Sequence, residues 1–200
     1  MNKIFLLLIA IPFWSIEVNA QDHASEIVEF QNELNESFRS EDESPLTEKA
    51  KKKFKGLKFF PINEEYRVEA DFVRIEDAVP FQMQTTTDRL PTYEQYGIAA
   101  FTLEGKTYQL IIYQSHQLRE MEEYKNHLFL PFKDLTSGNK TYGGGRFMDL
   151  EIPEGDKIII DFNKAYNPYC AYNHHYSCPI PPKENYLDIK VLAGVKKYKK

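Results

Sequence analysis

From residue 66 onward the chain is cut into short runs in which apolar and polar side chains alternate, each closed by turn residues. Residues 66–75 show it best: Tyr66, Val68, Ala70 and Phe72 interleave with Arg67, Glu69, Asp71 and Val73. A period of two is that of a strand with one buried face. The pattern returns at residues 79–85, and residues 96–103 and 107–114 flank Glu104-Gly105-Lys106 as a β-hairpin turning at Gly105. Residues 129–132, 146–152, 157–162 and 186–192 are further strand candidates, with a short helix expected at 118–125. Helical spacing is confined to the start. Ile27, Phe30, Leu34 and Phe38 recur at that spacing over residues 24–38. A second short helix is expected within residues 46–54, capped by Thr47 and ended by Gly56. The missing βαβ alternation argues against a doubly wound parallel sheet. The expected fold is mostly β (α+β), an antiparallel sandwich or barrel-like sheet with one or two N-terminal helices.

The first twenty residues have the three-part layout of a secretory signal peptide: Lys3, an apolar run over 4–14, and the small residues Val18 and Ala20 around Asn19. The run is shorter than the roughly twenty residues a spanning helix needs. A signal peptide over residues 1–20 is therefore expected, then a single globular domain over 21–200, exported to the periplasm or medium and without stable membrane insertion. Removing Lys3 and Glu17 leaves the formal net charge at −5. That balance gives no electrostatic footprint for a phosphate backbone, so no nucleic-acid partner is expected. The basic clusters at 49–58 and 196–200 read as a solvated helix face and a tail. The 14 Phe and 13 Tyr suffice for one core.

Residues 130–182 concentrate glycine, proline, asparagine, tyrosine and both cysteines. Rigid turns set among polar and aromatic side chains suit a specific surface. In residues 134–146, Gly143-Gly144-Gly145 would let backbone amides approach an anion, with Thr136 and Ser137 beside them and Arg146 as a bidentate clamp. The same glycines equally suit a hairpin tip, with Arg146 paired to Asp134 or Asp149. In residues 161–173, Asp161, Asn163, Tyr166 and Tyr172 would suit a polyhydroxylated or anionic ligand, or an irregular loop bracing itself by hydrogen bonds. Cys170 and Cys178 bracket His174 and His175; in an exported chain they are the expected disulfide pair, with two buried thiols or a zinc site as the alternatives. Their spacing matches no common zinc pattern, and neither a resident metal nor a cofactor is expected. Signatures of P-loops, nucleophile elbows and metalloproteases are missing.

Several motifs carry a resemblance. They include Gly56-Leu57-Lys58-Phe59-Phe60-Pro61, Thr85-Thr86-Thr87-Asp88-Arg89, Asp134-Leu135-Thr136-Ser137-Gly138, Thr141-Tyr142-Gly143-Gly144-Gly145-Arg146, Asp161-Phe162-Asn163-Lys164-Ala165-Tyr166-Asn167-Pro168 and Cys178-Pro179-Ile180-Pro181-Pro182. Over nearly the whole mature chain they resemble the bacterial family of unknown function 1684. The resemblance implies a bacterial source, in an exported form like that of Bacteroidetes-type cells, and transfers no reaction.

The functional expectation is a binding site for a small polar or anionic ligand, built by Thr136, Ser137, Arg146, Asp161, Asn163, Tyr166 and Tyr172. One alternative is a hydrolase with Asp161 as acid or base, Arg146 as oxyanion clamp, and Cys170 or Ser137 as nucleophile. Another is a structural or partner-binding envelope protein.

Overall fold

The computed structural model describes residues 15–198. Residues 1–14, most of the expected signal peptide, lie outside the described residues. Helix α1 (Ser15–Arg39) begins inside the segment expected to be removed and continues through the predicted helix. Its Ile27 and Phe38 are buried, while Phe30 and Leu34 are half-buried. The second helix, α2 (Glu48–Lys51), is a single turn whose Thr47 cap accepts from the Ala50 amide at 3.3 Å. It ends well before Gly56, which is not its terminator; the Lys52 and Lys53 amides already bond back within the turn.

Among the described residues eight strands make one curled sheet, a half-barrel with the order β6-β5-β4-β3-β1-β7; β2 pairs with β3 and β8 with β5. The strands are β1 (Arg67–Arg74), β2 (Phe81–Gln82), β3 (Thr92–Leu103), β4 (Lys106–Ser115), β5 (His127–Asp134), β6 (Arg146–Glu151), β7 (Lys157–Asp161) and β8 (Tyr186–Leu187). All pairings are antiparallel except β5 with β8. In β1 the alternation is literal: Val68, Ala70 and Phe72 are buried, and Glu69, Asp71 and Val73 exposed. The β3–β4 hairpin turns at Glu104 and Gly105, with φ of 49° and 75°, the left-handed pair of a two-residue turn matched to strand twist. The expected helix at 118–125 is two 3₁₀ turns, Leu118–Glu120 and Glu122–Tyr124. Residues 188–192 do not continue as strand: after one backbone bond, from the Leu135 amide to the Ile189 carbonyl at 2.9 Å, the Val191 amide and carbonyl bond the side chains of Asp134 and Arg146.

Strands β4, β5 and β6 contribute buried residues from both faces of the sheet. Leu110, Ile112, Leu128, Leu130, Phe132 and Met148 join the main core with Phe162, Leu187, Val191 and Ala193. Residues of opposite parity on the same strands, Tyr113, Phe129 and Phe147, form a second cluster with Met83, Cys170 and Cys178. A register shift between Gln95 and Gly97 lets Tyr93 join this second cluster while Ala99, Phe101 and Leu103 serve the first. A third cluster joins Phe38 of α1 to Leu46, Ala171 and Tyr172.

Candidate functional site

The loop after β5 is organised around the buried carboxylate of Asp134. Thr136 Oγ1 lies 2.9 and 2.8 Å from its two oxygens, Ser137 Oγ donates at 3.2 Å, and the Val191 amide at 2.8 Å. Arg146 faces the same carboxylate at 3.6 Å with both side chains fully buried. Its guanidinium donates to the Val191 carbonyl at 3.0 Å and to that of Ala193, and stacks over Phe132. Burial pulls Arg146 down to about 10, although Asp134 acts to hold it up. The expected ligand clamp is thus a core clamp on the C-terminal segment. Thr136 and Ser137 spend their hydroxyls on the loop itself. Gly145, at φ 98°, passes so close to the Phe132 carbonyl that a Cβ would lie 2.6 Å from it, so this glycine serves the loop's own packing.

Asp161 caps the 3₁₀ turn Phe162–Lys164, accepting from the Asn163 amide at 3.0 Å and its side chain at 2.8 Å. His23 Nε2 of α1 lies 2.7 Å from the other oxygen. Asn163 spans to Asn63, donating to its carbonyl at 2.9 Å and accepting from its amide at 3.0 Å. Tyr166 donates to Asp149 at 2.7 Å. Tyr172, almost fully buried, packs edge-on to Phe38 and accepts from Asn167 at 3.2 Å. Arg146 and Asp161 therefore sit in two separate buried pairs. Neither lines the groove described next, so the hydrolase arrangement built on those two residues is withdrawn.

Cys170 and Cys178 are buried free thiols, with the Cys170 amide donating to Cys178 Sγ at 3.2 Å. The Cys178 thiol and the Tyr142 hydroxyl beside Cys170 pull its thiol below its ordinary value, against burial. His174 and His175 are exposed, and among the described residues no group of three His, Cys, Asp or Glu could hold a metal ion.

The two expected loops do meet around a hollow; of the seven expected ligand-binding residues Tyr172 alone lines it, and the rest of its lining lies outside the expected site. A groove of about 1380 Å³ is walled by Asn139 and Lys140 of the glycine-rich loop and by Tyr172, Asn173, His174 and His175. Its other walls are α2 with the chain to Pro61, and the C-terminal segment from Leu192 to Tyr198. Backbone bonds fuse these segments. Phe60 donates to the Gly194 carbonyl at 3.0 Å, Lys196 to that of Lys58 at 2.7 Å, and Lys197 to that of Lys140 at 2.8 Å. Leu57 is held to α1 through Asn35 Oδ1 at 2.7 Å.

Among the described residues, seven lysines line the groove, Lys49, Lys53, Lys55, Lys58, Lys140, Lys196 and Lys197, and no Asp or Glu does. None of the ion pairs among the described residues uses one of the seven. Beneath them lie Phe54, Leu57, Phe60, Tyr66 and Leu192. The missed signal was the pairing of two basic clusters with interspersed aromatics, Lys51-Lys52-Lys53-Phe54-Lys55 and Lys196-Lys197-Tyr198.

A curled, mostly antiparallel half-barrel carrying such a groove defines a β-rich class of fold. The chain belongs to the family described as Protein of unknown function (DUF1684), matched over residues 52–196. It is similar to an uncharacterized protein from gene locus rrnAC0354 of Haloarcula marismortui, whose solution NMR structure superposes with a TM-score of 0.70. The two are 32% identical, over 90% of this chain and 97% of that one. No curated protein sequence matches the chain.

Proposed function

We propose that the protein is an exported binding module that holds an anionic ligand in the lysine-lined groove. One observation carries the reading: among the described residues, seven lysines and no Asp or Glu share a concave surface in a chain of net charge −5. Like charges so gathered raise the local potential and concentrate counter-ions, more so where low-dielectric walls focus the field. The ligand expected from the sequence is kept in its anionic form, and its site moves from Arg146 and Asp161 to the groove.

Export rests on the leader-like residues 1–20. Cleavage after Ala20 would leave His23 near the new N-terminus, where its bond to Asp161 would still anchor α1. No helix among the described residues is long and apolar enough to cross a membrane. In an oxidising compartment Cys170 and Cys178 would join as a disulfide. Intact mass before and after reductive alkylation of protein purified from the exported fraction tests both statements: a leader still attached, or two alkylated thiols without reduction, would count against them.

For the groove itself, calorimetric titration with inorganic tripolyphosphate and citrate should show binding that weakens as salt rises. In the double variant Lys53→Glu/Lys140→Glu it should weaken further. Equal affinity in the variant and the parent would defeat the anion reading.

A further inference from the structure

The groove has a second property that a small anion does not explain. Its volume of about 1380 Å³ exceeds the roughly 300–1,000 Å³ typical of small-molecule pockets. Phosphate or citrate would occupy only the lysine rim and leave the floor wet. That floor is apolar, and Phe54, Leu57 and Leu192 are only half-buried. It lies where two core clusters meet. Phe54 and Leu57 pack against the cluster of Phe38 and Tyr172, and Leu192 against the main core that includes Tyr66. Phe54 is stacked on Phe38 at 5.7 Å between centroids, so one ring face is fixed in place. Lys196 already sits with its ammonium 5.0 Å from the centre of the Phe60 ring, joining the cationic rim to the apolar floor.

We infer that the ligand is a single-chain amphiphile, its anionic head among the lysines and its apolar chain along the Phe54–Leu57–Leu192 floor. This rests on the anion-binding reading and adds the chemistry of the ligand's body. Burying methylenes against the floor supplies affinity that the screened surface charges alone do not. The lysine rim selects the sign of the head and sets its orientation. The head chemistry shared by a fatty carboxylate and an alkyl phosphate monoester is a compact anion able to accept from several ammonium groups.

The test is calorimetric titration of the full mature chain with straight-chain alkyl carboxylates and alkyl phosphates, below their micelle concentrations. Chains run from about eight to about fourteen carbons, where each buried methylene should tighten Kd by about two- to fourfold. Alcohols of the same length should bind at least about tenfold more weakly, because the rim then has no charge to pair. The two head series show which compact anion the rim prefers. Ala50→Trp, which projects a ring into the groove, should abolish the chain-length dependence; the series on the parent protein decides the matter even if that variant does not fold. Affinity independent of chain length, while Lys53→Glu/Lys140→Glu still weakens binding, would overturn the amphiphile and leave the anion reading standing. Loss of both dependences would remove both. Binding to anionic vesicles tighter than to any monomer, and indifferent to Ala50→Trp, would overturn the proposal in favour of a membrane surface.

Discussion

The amide of Lys197 donates to the carbonyl of Lys140 at 2.8 Å, tying the C-terminal segment to the tip of the glycine-rich loop. The bond places two lysines side by side in a groove that, among the described residues, holds no Asp or Glu. Like charges held together cost folding free energy, and a sequence tolerates such a cost most readily where function uses it.

Neutralising part of that cluster should therefore improve the free protein and impair binding. Lys53→Gln/Lys140→Gln is expected to raise stability at low ionic strength by no more than about 0.5 kcal/mol, a gain that salt removes. Urea unfolding at low and high NaCl, beside titration with an anionic ligand, checks both halves. A variant that is less stable at low salt would contradict the charge argument.

Arg146 makes a contrasting prediction. With Asp134 fully buried, Arg146→Ala strands a carboxylate and frees the carbonyls of Val191 and Ala193. The expected loss is about 3–5 kcal/mol. Chemical denaturation reads it directly, and a loss below about 1 kcal/mol would mean that the guanidinium does not hold the C-terminal segment.

Gly194 connects the core to the groove. At φ 73°, a Cβ there would lie 2.5 Å from the Ala165 carbonyl and 2.8 Å from that of Phe162. Gly194→Ala should cost at least about 1–3 kcal/mol from backbone strain. It should also loosen the Phe60–Gly194 bond, so protection of the Phe60 amide in hydrogen exchange should fall more than that of the Leu110 amide in the β3–β4 hairpin.

Stability should decline in acid partly through Glu94. Burial pushes this carboxyl up, but hydrogen bonds from His116 and Arg119, with the charges of Arg119 and Arg74, outweigh it and leave it below its ordinary 4.5. The unfolded chain thus binds the proton first. The contribution is complete above about pH 4.5 and is lost as pH falls through the lower folded value. Glu94→Gln should lower stability at neutral pH and flatten its decline below pH 4.5. Unfolding free energies of both proteins at neutral and acid pH give the comparison, and parallel curves would remove Glu94 as the source.

Much of the architecture was legible because its causes are local. Strand β1, the hairpin at Gly105 and the Thr47 cap each follow from side chains within a few residues. The strand expected at 186–192 is borne out only at Tyr186 and Leu187; beyond them the Val191 amide and carbonyl answer to the Asp134 and Arg146 side chains across the core. The site was harder. Residues with rich chemistry, Arg146, Asp161, Thr136 and Asn163, drew attention for the hydrogen bonds they can make. The fold uses those bonds on itself, since a buried polar group left without a partner is costly.

Patterning and turn residues by themselves determined a mostly β chain with a helical start, and drew attention to the two loops that border the groove. Only the tertiary structure decided what the groove is made of. Its lysines come from α2 and the chain beyond it, from a loop tip and from the C-terminal segment, joined by backbone bonds between residues far apart in sequence. Charge on a single segment reads as solvation; the same charge becomes a site when distant backbone pairing folds several such segments around one apolar floor.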